Sequence, residues 1–185
     1  LPFTDYIKNV ASSEIYPTWP ESALRANILA QISFALNRVY TEWYRSRGYD
    51  YDITNSTAYD QYFVNGRSYF TNISRLVDEL FNDYLRRPGF VEPLAAKFCN
   101  GTTAICEGLS QWGSENLAQQ GYTYDQILRS YYGNVEIVNK YEAEGTVQFA
   151  GKKELTGRTL EEGQFTFVLE DENGVRKTAT NDQNG

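Results

Sequence analysis

The chain has 185 residues, of which 41% are hydrophobic and 15% aromatic, with a formal net charge of -7 and neither His nor Met. This exceeds the roughly 100 to 150 residues of a typical domain, so one domain plus part of a second is expected, with apolar residues enough for a core. An acidic chain without a basic stripe is a poor partner for nucleic acid, no apolar run approaches the roughly 18 residues of a membrane span, and the lack of His excludes Ser-His-Asp and Cys-His catalysis and most zinc sites.

Residues 4–13 read as a short helix: Phe3 precedes a Thr4 cap, Asp5 suits the positive helix end, and Tyr6, Ile7, Val10 and Ala11 form one apolar face. Pro20 and Glu21 then open a long helix reaching about Tyr44. Its stripe of Leu24, Ile28, Ile32, Ala35, Leu36, Val39 and Trp43 predicts core packing. Gly48 ends it, and residues 49–63 form a polar, tyrosine-rich stretch that fits either a loop or a short strand. A third helix is predicted over 72–85, capped by Thr71 or Asn72, facing inward through Ile73, Leu76, Val77, Leu80, Phe81, Tyr84 and Leu85, and closed by Arg86, Arg87 and Pro88.

An apolar segment over 91–98 leads to Cys99 and Cys106, whose spacing allows a short-loop disulfide in an oxidising location. Two small helices follow over 114–119 and 124–132, with Thr123 capping the second and Gly133 ending it. After Asn139 the pattern turns β-like, with alternating Phe165, Phe167 and Leu169 and a turn signal at Glu172-Asn173-Gly174. The predicted fold class is α+β, with a helical domain over 1–140 and an incomplete β-domain over 141–185, too short for a sandwich of roughly 100 residues. Lacking Met and a signal-peptide pattern, and stopping just after a strand, the chain reads as an excised mature fragment.

With His absent, chemistry falls to carboxylates. Glu14 stands out because it follows a helix, whose negative end disfavours further negative charge, and is flanked by Ile15, Tyr16 and Trp19. Both influences raise a carboxyl pKa, and a carboxyl protonated near neutral pH is what a general acid at a glycosidic bond requires. A plain solvated Glu after a helix fits the same pattern. The 15 tyrosines, with Asn and Gln, suit a carbohydrate groove as well as ordinary amphipathic surfaces.

The segment Tyr6-Ile7-Lys8-Asn9-Val10-Ala11-Ser12-Ser13-Glu14 resembles the opening of the SpoIID/LytB-like family of sporulation and cell-wall proteins, ending in the family's catalytic Glu. The resemblance continues through Trp19-Pro20, Ala23-Leu24-Arg25-Ala26 and Ala35-Leu36, then Asn100-Gly101-Thr102, Gly108-Leu109-Ser110-Gln111-Trp112-Gly113, and Gly121-Tyr122-Thr123-Tyr124 to Tyr131-Tyr132. It implies a SpoIID-like domain directed at peptidoglycan glycan strands, extracellular or wall-associated, without a cofactor and with Glu14 as the acid of a lytic transglycosylase. Arg25, Tyr59, Asp60, Gln61, Ser110 and Gln111 are the substrate-binding candidates it adds, and Asp60 is the nominee for a second carboxylate, which a hydrolase needs roughly 5 to 9.5 Å from the first. The chain departs from the family at Ile32, where an Arg is usual, and around Ile105, where a His is usual, so no metal is expected. A non-catalytic wall-binding or surface-display module is the competing expectation.

The C-terminal part resembles the start of streptococcal-type pilin domains in Lys153-Glu154-Leu155-Thr156-Gly157-Arg158, Gly163-Gln164-Phe165-Thr166-Phe167 and Ala179-Thr180-Asn181-Asp182. This implies an Ig-like fold for the fragment, with Lys153 as the lysine of a Lys-Asn isopeptide bond whose partners would lie beyond Gly185.

Overall fold

The computed structural model describes residues 1–139, 154, 156–157, 159–170 and 176–184. The chain divides into two compact units, Leu1–Glu142 and Ala143–Gly185. The first is built on α1 (Phe3–Glu14), α2 (Glu21–Tyr40), α3 (Thr71–Leu80), β1 (Asp83–Arg86), β2 (Phe98–Cys99), β3 (Leu109–Ser110), α4 (Gln111–Gln119), α5 (Tyr124–Tyr132) and β4 (Glu136–Asn139). Among the described residues no helix is long and apolar enough to cross a membrane.

α2 is the centre of the first unit. Ala23, Leu24, Ala26, Ile28, Leu29, Ala30, Ile32 and Ala35 are all buried, so the helix is covered on every side rather than along one stripe. It packs against α1, α3, α4, α5 and β1. Its regular part ends at Tyr40, short of the expected Tyr44; a turn and a 3-10 segment, Arg45–Arg47, carry the chain to Gly48 at φ +87°. Val39 and Trp43, expected in the core, are exposed, because the core that would cover them stops one turn earlier. Trp43 instead lies between the Arg38 and Arg47 guanidiniums, 4.5 and 4.0 Å from its ring.

The third helix is shorter than its pattern. α3 ends at Leu80, and Tyr84 and Leu85 are buried on β1, paired antiparallel with β4 from Asp83↔Asn139 to Arg86↔Glu136. The spacing of Val77, Leu80, Phe81, Tyr84 and Leu85 suits a helix, but a partner strand about fifty residues later overrides it, and the Leu85 amide donates to Ser33 Oγ of α2 at 2.8 Å. The expected side-chain caps of α1 and α3 are absent: Pro2 and Phe70 occupy those positions, and Asn72 reaches instead to the Pro17 carbonyl at 2.7 Å. Thr123 does cap α5, in a reciprocal pair with Gln126.

β2 and β3 form a short parallel pair, Phe98↔Leu109 and Cys99↔Ser110, that delivers the chain into α4. The Cys99–Cys106 disulfide closes the intervening loop, and Ser110 caps α4 by accepting from the Gly113 amide at 3.0 Å, so α4 starts at Gln111 rather than at 114. A Cβ at Gly108 would stand 2.1 Å from the Lys97 carbonyl oxygen, which is why this strand pair requires glycine there.

In the second unit β5 (Thr166–Glu170) and β6 (Arg176–Thr180) form an antiparallel hairpin from Thr166↔Thr180 to Glu170↔Arg176. Phe167 is half-buried and Leu169 exposed, so the expected inward alternation is only partly seen. Asn181 is buried, donating to the Glu161 carbonyl and accepting from the Phe165 amide at 2.7 Å. The turn signal at 172–174 and Lys153 lie outside the described residues.

Candidate active site around Glu14

α1 ends on Glu14, and three donors converge on that carboxylate. Oε1 accepts from the Tyr62 amide at 2.7 Å, while Oε2 accepts from Gln31 Nε2 at 3.3 Å and Gln111 Nε2 at 3.1 Å. These donors come from a loop, from the central helix and from the first residue of α4. Glu14 as a whole residue is partly exposed, while its carboxylate is closely surrounded.

Two of the three donor segments are braced by further hydrogen bonds. Asn9 grips Val64 through two hydrogen bonds, donating to its carbonyl at 2.7 Å and accepting from its amide at 2.9 Å, and Ser12 Oγ accepts from the Phe70 amide. The C-terminal half of α1 thereby fixes the loop that carries the Tyr62 amide. Gln61, fully buried, donates to the Gln31 carbonyl at 3.0 Å and accepts from the Tyr6 hydroxyl at 3.0 Å. Gln31 is fully buried as well, and its Oε1 has no partner among the described residues.

Burial is the strongest influence on Glu14 and raises its pKa to about 7; the three hydrogen bonds act the other way, because all donate to the ionised form. At neutral pH a large part of the population therefore holds a proton. Burial, reinforced by the nearby Asp60 and Glu14 charges, also pushes the Tyr6 hydroxyl upward, so it remains a neutral donor.

The structure thus brings Glu14, Gln61 and Gln111 into one network. It gives the other candidates different places. Asp60 has a fully inaccessible side chain whose oxygens accept from Arg38 Nε at 2.8 Å, Tyr44 Oη at 2.6 Å, and the Thr54 amide and hydroxyl at 2.9 and 2.7 Å. So enclosed, it organises the 52–60 loop and is closed to a water or a sugar. Tyr59 stands 72% exposed, and its carbonyl accepts from Arg38. Arg25 is engaged by Glu21 and Glu79 in a surface ion network. Ser110 serves as the α4 cap.

Gln31 and the Tyr62 amide were invisible as site residues in the sequence. The trace of Gln31 is a pair of amides, Asn27 and Gln31, four residues apart within an otherwise apolar helix; a backbone amide leaves no trace at all. Ile32, the departure from the family pattern, is fully buried in the core. An open apolar cavity of about 500 Å³, lined by Leu36, Tyr40, Phe81, Tyr84, Val91 and Pro93 among others, includes none of the Glu14 partners.

Residues 1–81 match the SpoIID family model, stage II sporulation protein. The SpoIID match spans α1, α2 and α3 and therefore contains Glu14, Gln31, Asp60, Gln61 and the Tyr62 amide. Ser110 and Gln111 lie beyond it. At the level of the family the match points to cell-wall-related lytic activity. No curated protein matches the chain. A family-type metal does not fit these residues: the two cysteines are joined to each other, the chain has no His, and no group of three His, Cys, Asp or Glu side chains suited to a metal occurs among the described residues.

Proposed function

We propose that the first unit cleaves peptidoglycan glycan strands by a lytic-transglycosylase-type reaction, with Glu14 as general acid and then general base. The observation that carries this reading is the grip of three donors from separate elements on the Glu14 carboxyl, whose pKa burial raises to about 7. Protonated Glu14 gives its proton to the glycosidic oxygen as the bond to the anomeric carbon breaks. The carboxylate left behind, stabilised by the Tyr62 amide and the Gln31 and Gln111 side chains, then takes the proton of a substrate hydroxyl as that oxygen closes on the anomeric carbon. One carboxyl completes the cycle and no water is activated. The enclosure of Asp60 supports this route over a two-carboxylate hydrolysis.

The SpoIID match supports the choice of peptidoglycan as substrate. The Cys99–Cys106 disulfide supports an extracellular or wall-associated location, since disulfides persist in oxidising compartments. For the second unit the reading is the start of a pilin-type, Ig-like β-domain, supported by the β5–β6 hairpin and by the sequence resemblance around it.

The test is digestion of purified peptidoglycan by the native chain and by Glu14→Gln, with mass analysis of the soluble products. Anhydro-sugar ends that vanish in the variant are the expected result. Reducing ends would assign hydrolysis, and binding without release would assign the non-catalytic wall-binding module, the reading that Ile32 and the missing His favour.

A further inference from the structure

Three aromatic rings that take no part in the chemistry assigned to Glu14 cluster on segments that flank it and its partner Gln111. Tyr16 follows Glu14 by two residues, and Trp112 follows Gln111, whose amide holds the carboxylate. Tyr16 and Trp112 are 56% and 40% exposed, whereas Trp19 is buried at 8%. The ring centroids are 5.6 Å apart for Tyr16–Trp112, 5.6 Å for Tyr16–Trp19 and 5.0 Å for Trp19–Trp112. Two exposed rings therefore rest on one buried ring and on each other. The main chain beneath them is fixed as well, since the Trp112 amide donates to the Asn100 carbonyl at 3.2 Å inside the disulfide-closed loop.

Such a pair offers apolar surface with little freedom left to lose, which is what a binding site for an amphipathic ring requires. A pyranose is such a ring: its axial C–H groups make an apolar face, and its hydroxyls point outward from the rim. The position of the pair selects the occupant. Tyr16 is two residues from Glu14 and Trp112 adjoins the Gln111 that holds its carboxylate, so a ring stacked there lies close to Glu14.

We propose that Tyr16 and Trp112, backed by Trp19, form a stacking platform for one pyranose ring of the glycan strand, next to the bond that Glu14 protonates. The assignment rests on the glycan-cleaving function proposed above and adds a sugar subsite to it.

The experiment uses the full chain carrying Glu14→Gln, which binds a strand without cutting it, and titrates it with peptide-free glycan strands by calorimetry. Adding Tyr16→Ala or Trp112→Ala is expected to weaken binding about tenfold, the size of one lost aromatic stacking contact. Trp112→Phe, which keeps an aromatic ring, should retain most of the affinity, and Tyr16→Ala in the otherwise native chain should raise KM more than it lowers kcat. Unchanged affinity in both alanine variants, with binding intact in the Glu14→Gln parent, overturns the platform and leaves the proposed function standing. Affinity lost with the rings, in a native chain that releases nothing from peptidoglycan, keeps the platform and removes the catalytic role. Absence of glycan binding by both the native chain and Glu14→Gln overturns the two together.

Discussion

Replacing Glu14 by Gln removes a titrating group whose unfolded and native forms differ in protonation between about pH 4.5 and about pH 7. Within that window the unfolded chain has released the proton while the native site still holds it, so native stability falls as pH rises and levels off above 7. For a native pKa of about 7, the loss at pH 8 exceeds that at pH 5 by roughly 2 to 3 kcal/mol. Gln cannot titrate, so the variant should gain on the native protein by that amount between the two pH values. The amide places one new donor among three existing ones, a constant offset that the unpartnered Gln31 Oε1 can relieve if its side-chain amide turns over. Urea unfolding at pH 5 and pH 8 measures the change, followed by tryptophan fluorescence, since Trp19, Trp43 and Trp112 all belong to the first unit. An identical stability difference at both pH values would refute the raised pKa and the reasoning from burial behind it.

Gln111→Leu removes a donor that lowers the Glu14 pKa, so the alkaline limb of the pH–activity curve should move to higher pH; an unmoved limb would contradict the contact. Asp60→Asn weakens a buried pair with Arg38 and should destabilise the first unit by about 3 kcal/mol in denaturant unfolding. A fully stable Asp60→Asn protein that has lost cleavage would instead place Asp60 in the chemistry. Cys99→Ser with Cys106→Ser opens a short loop and should cost about 2.5 kcal/mol in the same assay, and no loss would show the loop to be held by its hydrogen bonds alone.

One residue of the candidate site, Glu14, is legible in the sequence because its signals are local. Glu14 declares itself by a helix end and the neighbouring Ile15, Tyr16 and Trp19, and burial indeed dominates its environment. Gln61 and Gln111 enter through family resemblance as substrate-binding candidates; the structure instead buries Gln61 completely against the Gln31 carbonyl and sets Gln111 on the Glu14 carboxylate. What escaped is non-local. Asp60 is an attractive acid in one dimension, but Arg38 and Tyr44, 22 and 16 residues earlier, enclose it in three. Tyr84 and Leu85 continue a helical spacing until β4 captures them as a strand. Gln31 resembles a stray polar residue in a core helix, and only the fold turns it toward Glu14.

The most direct measurement is the clearing of a peptidoglycan suspension by the native chain and by Glu14→Gln, side by side, from pH 5 to pH 9. The native chain should clear it with activity declining as pH rises through about 7, and Glu14→Gln should fail at every pH. Clearing by Glu14→Gln at the native rate would contradict the assignment of Glu14 as the acid.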